Sequence, residues 1–103
     1  MSVITVTSRV KEEYAADAQA ALDKFFQAIE QAQPAGVRYA VTKLGDGVTF
    51  VAFLEVENSE DPVNDNPLRE LPEHAEFLAN LRQWAAEPGA IDRMTVVGSY
   101  RLF

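Results

Sequence analysis

The chain holds one histidine, His74, and no cysteine. Disulfides, thiolate metal sites and cysteine nucleophiles are thereby excluded, and any site needing two histidine ligands would require a second chain. No metal site is expected from these residues. His74 shares a three- and four-residue spacing with Phe77, Leu78, Leu81 and Trp84, so it falls on the apolar stripe of a helix and should point towards the body of the fold. An imidazole in that position titrates near neutral pH and can act as a general base. A histidine near a helix start can equally be a hydrogen-bonded or partly exposed group with no chemical role.

The residues suited to surround a flat apolar ligand are Tyr39, Trp84 and Tyr100, with Phe50 and Phe53. Aromatics at strand or helix spacing also serve as plain core. Tyr39 and Tyr100 stand out because a buried phenol needs a hydrogen-bond partner, and a pocket could use that hydroxyl to hold an oxyanion. Arg38 and Arg101 fall on strands. Either could fix a carboxylate or phenolate in a pocket, the alternative being an ion pair with Glu55 or Glu57. The stretch Glu55–Asp65 is rich in carboxylates but lacks the spacing of a calcium loop, and reads as a solvated loop or a lid over a pocket mouth. Glycine-rich phosphate loops, nucleophile elbows and basic patches are absent.

The elements that must carry these residues follow from periodicity. Ser2–Val10 alternates apolar and polar residues and reads as a strand. From Glu12 the apolar positions Tyr14, Ala18, Leu22, Phe25 and Ile29 switch to helical spacing, until Pro34 and Gly36 end the helix. Val37–Leu44 and Thr49–Glu57 are strands joined by Gly45-Asp46-Gly47, a tight-turn signal. Asn58–Asn66 is loop, Asn66-Pro67 opens a short helical turn, and Pro72 starts the second helix, which Glu87-Pro88-Gly89 ends. A last strand is expected over about Asp92–Phe103.

This order, over 103 residues without a linker, predicts one domain spanning 1–103: an α+β, ferredoxin-like split βαβ with a four-stranded antiparallel sheet and both helices on one face. Nine basic against sixteen acidic residues give a net charge of −7, which disfavours nucleic acid as a partner. The longest apolar run, Phe50–Leu54, is far below the ~20 residues that cross a bilayer, so no membrane partner is expected, and with no secretory leader the expected location is cytoplasmic. Two helices can cover only one face of the sheet. Yet the third strand carries Phe50, Ala52, Leu54 and Val56 on one side and Val51 and Phe53 on the other, and Val96, Tyr100 and Leu102 stand against Val97 and Phe103 near the end. A second copy of the chain is the expected cover for the second face, giving a homodimer.

The element order, the length and the closing Thr95-Val-Val-Gly-Ser-Tyr-Arg-Leu-Phe103 segment resemble the dimeric α+β barrel superfamily, and within it the antibiotic biosynthesis monooxygenase-like proteins. The resemblance covers essentially the whole chain and rests on pattern, not on a sharp catalytic motif. It implies sheets paired into a dimeric barrel, with a ligand pocket between sheet and helices. It further implies a cofactor-independent monooxygenase acting on a small aromatic or polyketide-like compound, with His74 as base and Tyr39, Trp84, Tyr100 and Arg38 around the substrate. Haem-degrading relatives use a histidine on the corresponding helix, but the first-strand asparagine they also use is replaced here by Ser8 and threonines, and no tryptophan precedes His74. A non-catalytic homodimeric ligand-binding or structural protein is the alternative.

Overall fold

The computed structural model describes residues 2–101. Strand β1 (Ser2–Arg9) leads through a 3₁₀ turn at Glu12–Tyr14 into helix α1 (Ala15–Ala32), followed by β2 (Val37–Lys43), β3 (Thr49–Val56), a 3₁₀ turn at Pro67–Glu70, α2 (Pro72–Trp84) and β4 (Ala90–Thr95). The four strands form one sheet in the order β2-β3-β1-β4, with every neighbouring pair antiparallel. This is the ferredoxin-like α+β arrangement that the element order predicts.

Local chemistry accounts for the boundaries. Helix α1 stops when Gln33 turns left-handed at φ 46°, its N–H donating to the Ile29 carbonyl at 2.8 Å, and Pro34 prevents continuation. The β2–β3 turn is locked by Asp46. Its Oδ1 accepts from the amides of Val48 and Thr49 at 2.9 Å each and its Oδ2 from Thr49 Oγ1 at 2.6 Å, while Gly47 supplies the positive φ of 77°. These bonds, the Thr49 hydroxyl foremost, hold the Asp46 carboxyl below the ordinary carboxylate range.

The sheet register sorts side chains onto two faces. Ile4 lies opposite Leu54 and Arg93, Val6 opposite Ala52 and Ile91, and Tyr39 opposite Leu54, all facing the helices. Arg38, Ala40, Val51, Phe53, Thr5 and Asp92 fall on the far face. The third strand is thus apolar on both sides, as its sequence indicates.

The closing strand is shorter than the alternation suggests. It ends at Thr95, which pairs with Ser2 of β1. Val96–Arg101 has no strand partner among the described residues, and Val97 and Tyr100 are 100% and 82% exposed. The alternation there is real in the sequence, but a strand needs a neighbour as well as a pattern. Leu102 and Phe103, on which part of that expectation falls, lie outside the described residues.

The core divides in two. One cluster joins Val10, Ala18, Leu22 and Phe50, with Leu81 and Trp84 packed against it; the other joins Phe25, Leu54 and Leu68, with Tyr39 and Leu71 alongside. Helix α1 buries Ala18, Leu22 and Phe25, whereas α2 buries no residue fully. Contact between the helices includes an ion pair from Lys24 Nζ to Glu76 Oε1 at 3.1 Å.

Candidate functional site

A cavity of about 290 Å³ lies between the two core clusters, enclosed by the sheet, α1 and α2. Its origin is local. Under α2 the centre of the sheet carries small side chains, Val6 and Ser8 on β1 and Ala52 on β3, so the helix spans the sheet without filling the space. The acidic loop closes one side: Pro62 is fully buried, and Val63 and Asn66 line the cavity. Two arginines strap that loop. Arg93 donates to the Glu60 carbonyl at 3.2 Å and pairs with Asp61 at 3.3 Å, and Arg69 donates to the Val63 carbonyl at 3.1 Å. The hydrogen bond from Asn64, reinforced by the charge of Arg93, holds the Asp61 carboxyl below its ordinary range.

The volume falls at the lower edge of ordinary small-ligand sites, and the lining is largely apolar. Its polar side chains are Ser8, Tyr39, Asn66, Arg69 and His74, and none of the lining residues is an aspartate or glutamate. Four of these gather at one end. The rings of Tyr39 and His74 each lie 5.9 Å from that of Phe25, and Arg69 is close enough to act on the His74 charge. Asn66 precedes the 3₁₀ turn that carries Arg69. The opposite end, around Val10, Leu22, Phe50 and Leu81, is apolar apart from Ser8.

His74 occupies the first turn of α2 and is half-buried. Loss of solvent around the ring, and secondarily the positive Arg69, lower its pKa below 6.5, so the imidazole is uncharged at neutral pH and free to accept a proton. Its ring makes no hydrogen bond to a protein group among the described residues. Tyr39 is buried under Phe25 and Phe26, and that burial pushes its phenol up to about 12. Its neutral hydroxyl is left to donate. The Asn66 side-chain amide donates to the Pro62 carbonyl at 2.7 Å, while its Oδ1 is sealed from solvent and unpaired.

Of the residues singled out from the sequence, His74, Tyr39 and Phe50 line the cavity, whereas Trp84, Tyr100 and Arg38 do not. Trp84 packs against the apolar cluster and stacks on Tyr14 at a ring separation of 6.3 Å. Tyr100 stands in solvent with the Arg101 guanidinium 5.0 Å above its ring. Arg38 is exposed on the far face of the sheet, directly across from Glu55, one of whose oxygens is buried without a partner. Parity explains this last case: Tyr39 faces the helices, so its neighbour Arg38 cannot. The sequence reading passed over Arg69 and the lining role of Asn66, which sit on a 3₁₀ turn and its cap, where neither the helical nor the strand period applies. Among the described residues no group of three histidine, aspartate or glutamate side chains gathers to hold a metal ion, and no helix is long and apolar enough to cross a membrane.

No family model matches the sequence, and no curated protein matches it. Solved structures do. A provisionally named antibiotic biosynthesis monooxygenase from Nitrosomonas europaea superposes with a TM-score of 0.76 at 19% identity, over 95% of this chain and 100% of that one. Rv0793 from Mycobacterium tuberculosis gives 0.72 at 16% identity, over 95% and 96%. A variant of SnoaB, a cofactor-independent oxygenase from Streptomyces nogalater, gives 0.66 at 14% identity, over 97% and 96%. Identities this low carry architecture and not activity. The chain has the ferredoxin-like α+β fold found in antibiotic biosynthesis monooxygenase-like proteins.

Proposed function

We propose that the protein belongs with the antibiotic biosynthesis monooxygenase-like proteins and is a cofactor-independent monooxygenase acting on a small aromatic or polyketide-like compound. The observation that carries this reading is an apolar cavity lined both by His74, uncharged at neutral pH, and by the neutral phenol of Tyr39, each packed against Phe25. The cofactor-independent oxygenase among the structures of the same fold supports it. His74 takes a proton from an activated methylene or phenol of the substrate, and the apolar walls keep the resulting carbanion from water. That electron-rich carbon reduces dioxygen and bonds to it. Loss of water from the adduct leaves a carbonyl, so one oxygen atom stays in the product and the other departs as water. Tyr39 donates to the oxyanion that delocalises the charge.

Oxygen uptake with an anthrone, corrected for spontaneous oxidation, tests the proposal. The wild type should consume oxygen and His74→Ala should be slower by about 100-fold. Equal rates would remove His74 from the mechanism, and no uptake by either protein would remove the activity for such substrates.

The working form in this reading is a cytoplasmic homodimer. Its support is the far sheet face, where Val51 and Phe53 are half-buried and Met94 is 40% exposed. Light scattering at micromolar concentration should give twice the 11.4 kDa chain mass. A clean monomer would contradict it. One observation favours a second reading, a ligand-binding protein without catalysis: among the described residues no side chain hydrogen-bonds the His74 ring. Saturable binding of the anthrone without oxygen uptake would select that reading.

A further inference from the structure

We infer that the ligand taken by this cavity is an aromatic carboxylate whose acid group lies against Arg69, with its ring system in the apolar remainder. The inference rests on the cavity being the ligand site proposed above and adds the chemical class of the ligand and its direction.

The chain carries a net charge of −7, yet no carboxylate lines the cavity, and the one formal cation that does is Arg69. Its guanidinium has five N–H donors, of which the Val63 carbonyl engages Nη1 at 3.1 Å; the others have no partner among the described residues. Helix α2 begins beside it at Pro72, and its N-cap, Leu71, offers no side-chain oxygen to the first-turn amides, so the positive end of the helix dipole adds to the same region. Glu73 belongs to that first turn and Glu70 to the preceding one, but neither faces the cavity. The Tyr39 hydroxyl supplies a further donor. Asn66 does not compete as the anchor, because its Oδ1 is sealed and its Nδ2 is held by the Pro62 and Val63 carbonyls. An acceptor-rich, anionic group answers all of these features, and a hydroxyl answers only part of them. The planar body then runs over Val6 and Ala52 towards Val10 and Phe50.

Calorimetric titration with 2-naphthoate and with 2-naphthalenemethanol, a neutral compound of nearly the same size, provides the test. The wild type should bind the carboxylate about ten-fold more tightly. Arg69→Gln should abolish the preference, so that the variant binds naphthoate no more tightly than it binds the alcohol. An independent readout comes from His74, the only histidine. Its NMR titration midpoint should rise when naphthoate binds, since a nearby anion favours the imidazolium, and should not rise with the alcohol. Equal affinities in the wild type, or a preference that survives Arg69→Gln, would overturn the inference while leaving the cavity as a ligand site. Binding of neither compound would overturn both. A preference for naphthoate in a protein that consumes no oxygen would uphold the inference and remove the oxygenase.

Discussion

Helix α1 and helix α2 lie on the same face of the same sheet and do different work. The first drives Ala18, Leu22 and Phe25 to full burial; the second, shorter and less amphipathic, buries none completely. What lies underneath separates them further. Phe25 meets Leu54, Leu68 and Tyr39, whereas Phe77 and Leu81 overlook Val6, Ser8 and Ala52. An amphipathic stripe says which way a helix faces, and the size of the opposing side chains decides whether it makes core or cavity. Both helices line the cavity, and α1 alone also supplies fully buried core residues.

Truncation is the bluntest way to break that contrast. Phe25→Ala should destabilise the protein by about 3–5 kcal/mol, measured by urea unfolding, because it opens a hole where α1 is tightly packed. A loss below about 1 kcal/mol would mean that α1 is no better seated than α2. The next effect is alkaline. Tyr39, sealed under α1, ionises near 10 when unfolded and at about 12 when folded. Its burial therefore stabilises fully below pH 10 and is lost as pH rises from about 10 to 12, by about 2 kcal/mol, a loss that Tyr39→Phe should abolish. Helix α2 should respond less. Leu78, 40% exposed, should lose under about 1 kcal/mol on replacement by alanine. Lys24→Ala, which breaks the exposed ion pair between the helices, should change stability by about 0.5 kcal/mol or less and fade further in high salt. A larger effect would make the pair a true clamp on α2.

His74 offers a sharper version at acid pH. Its pKa is lowered on folding, so the unfolded chain binds the proton more readily, and stability falls as pH drops below 6.5. His74→Gln should flatten that limb. An NMR midpoint at or above 6.5 would mean that the ring is not desolvated.

The order of elements was readable because each carries its own period and each break its own residue: Pro34 after α1, Asp46 and Gly47 in the hairpin, Pro67 and Pro72 before α2. That Tyr39 and His74 face the space between sheet and helices was readable because a strand and a helix period oriented them. Tyr100 carried the same alternation as Tyr39 and ended in solvent, since β4 stops at Thr95 and alternation alone does not supply a neighbouring strand. Arg69 was invisible for the converse reason: its place follows from how a 3₁₀ turn packs against the loop before it, which no local period encodes.

The attachment of α2 has one more consequence. Its C-terminal end is pinned to the first strand by the Val10–Ala85 bridge and by backbone bonds of 2.8 Å from Lys11 to Trp84 and from Ala86 to Arg9. The helix therefore carries the only tryptophan at its pinned end and the only histidine in its first turn, at the cavity. Two native reporters thus mark the two ends of one rod. A ligand that settles into the cavity disturbs the His74 resonance alone, and one that swings the whole helix also changes the fluorescence of Trp84.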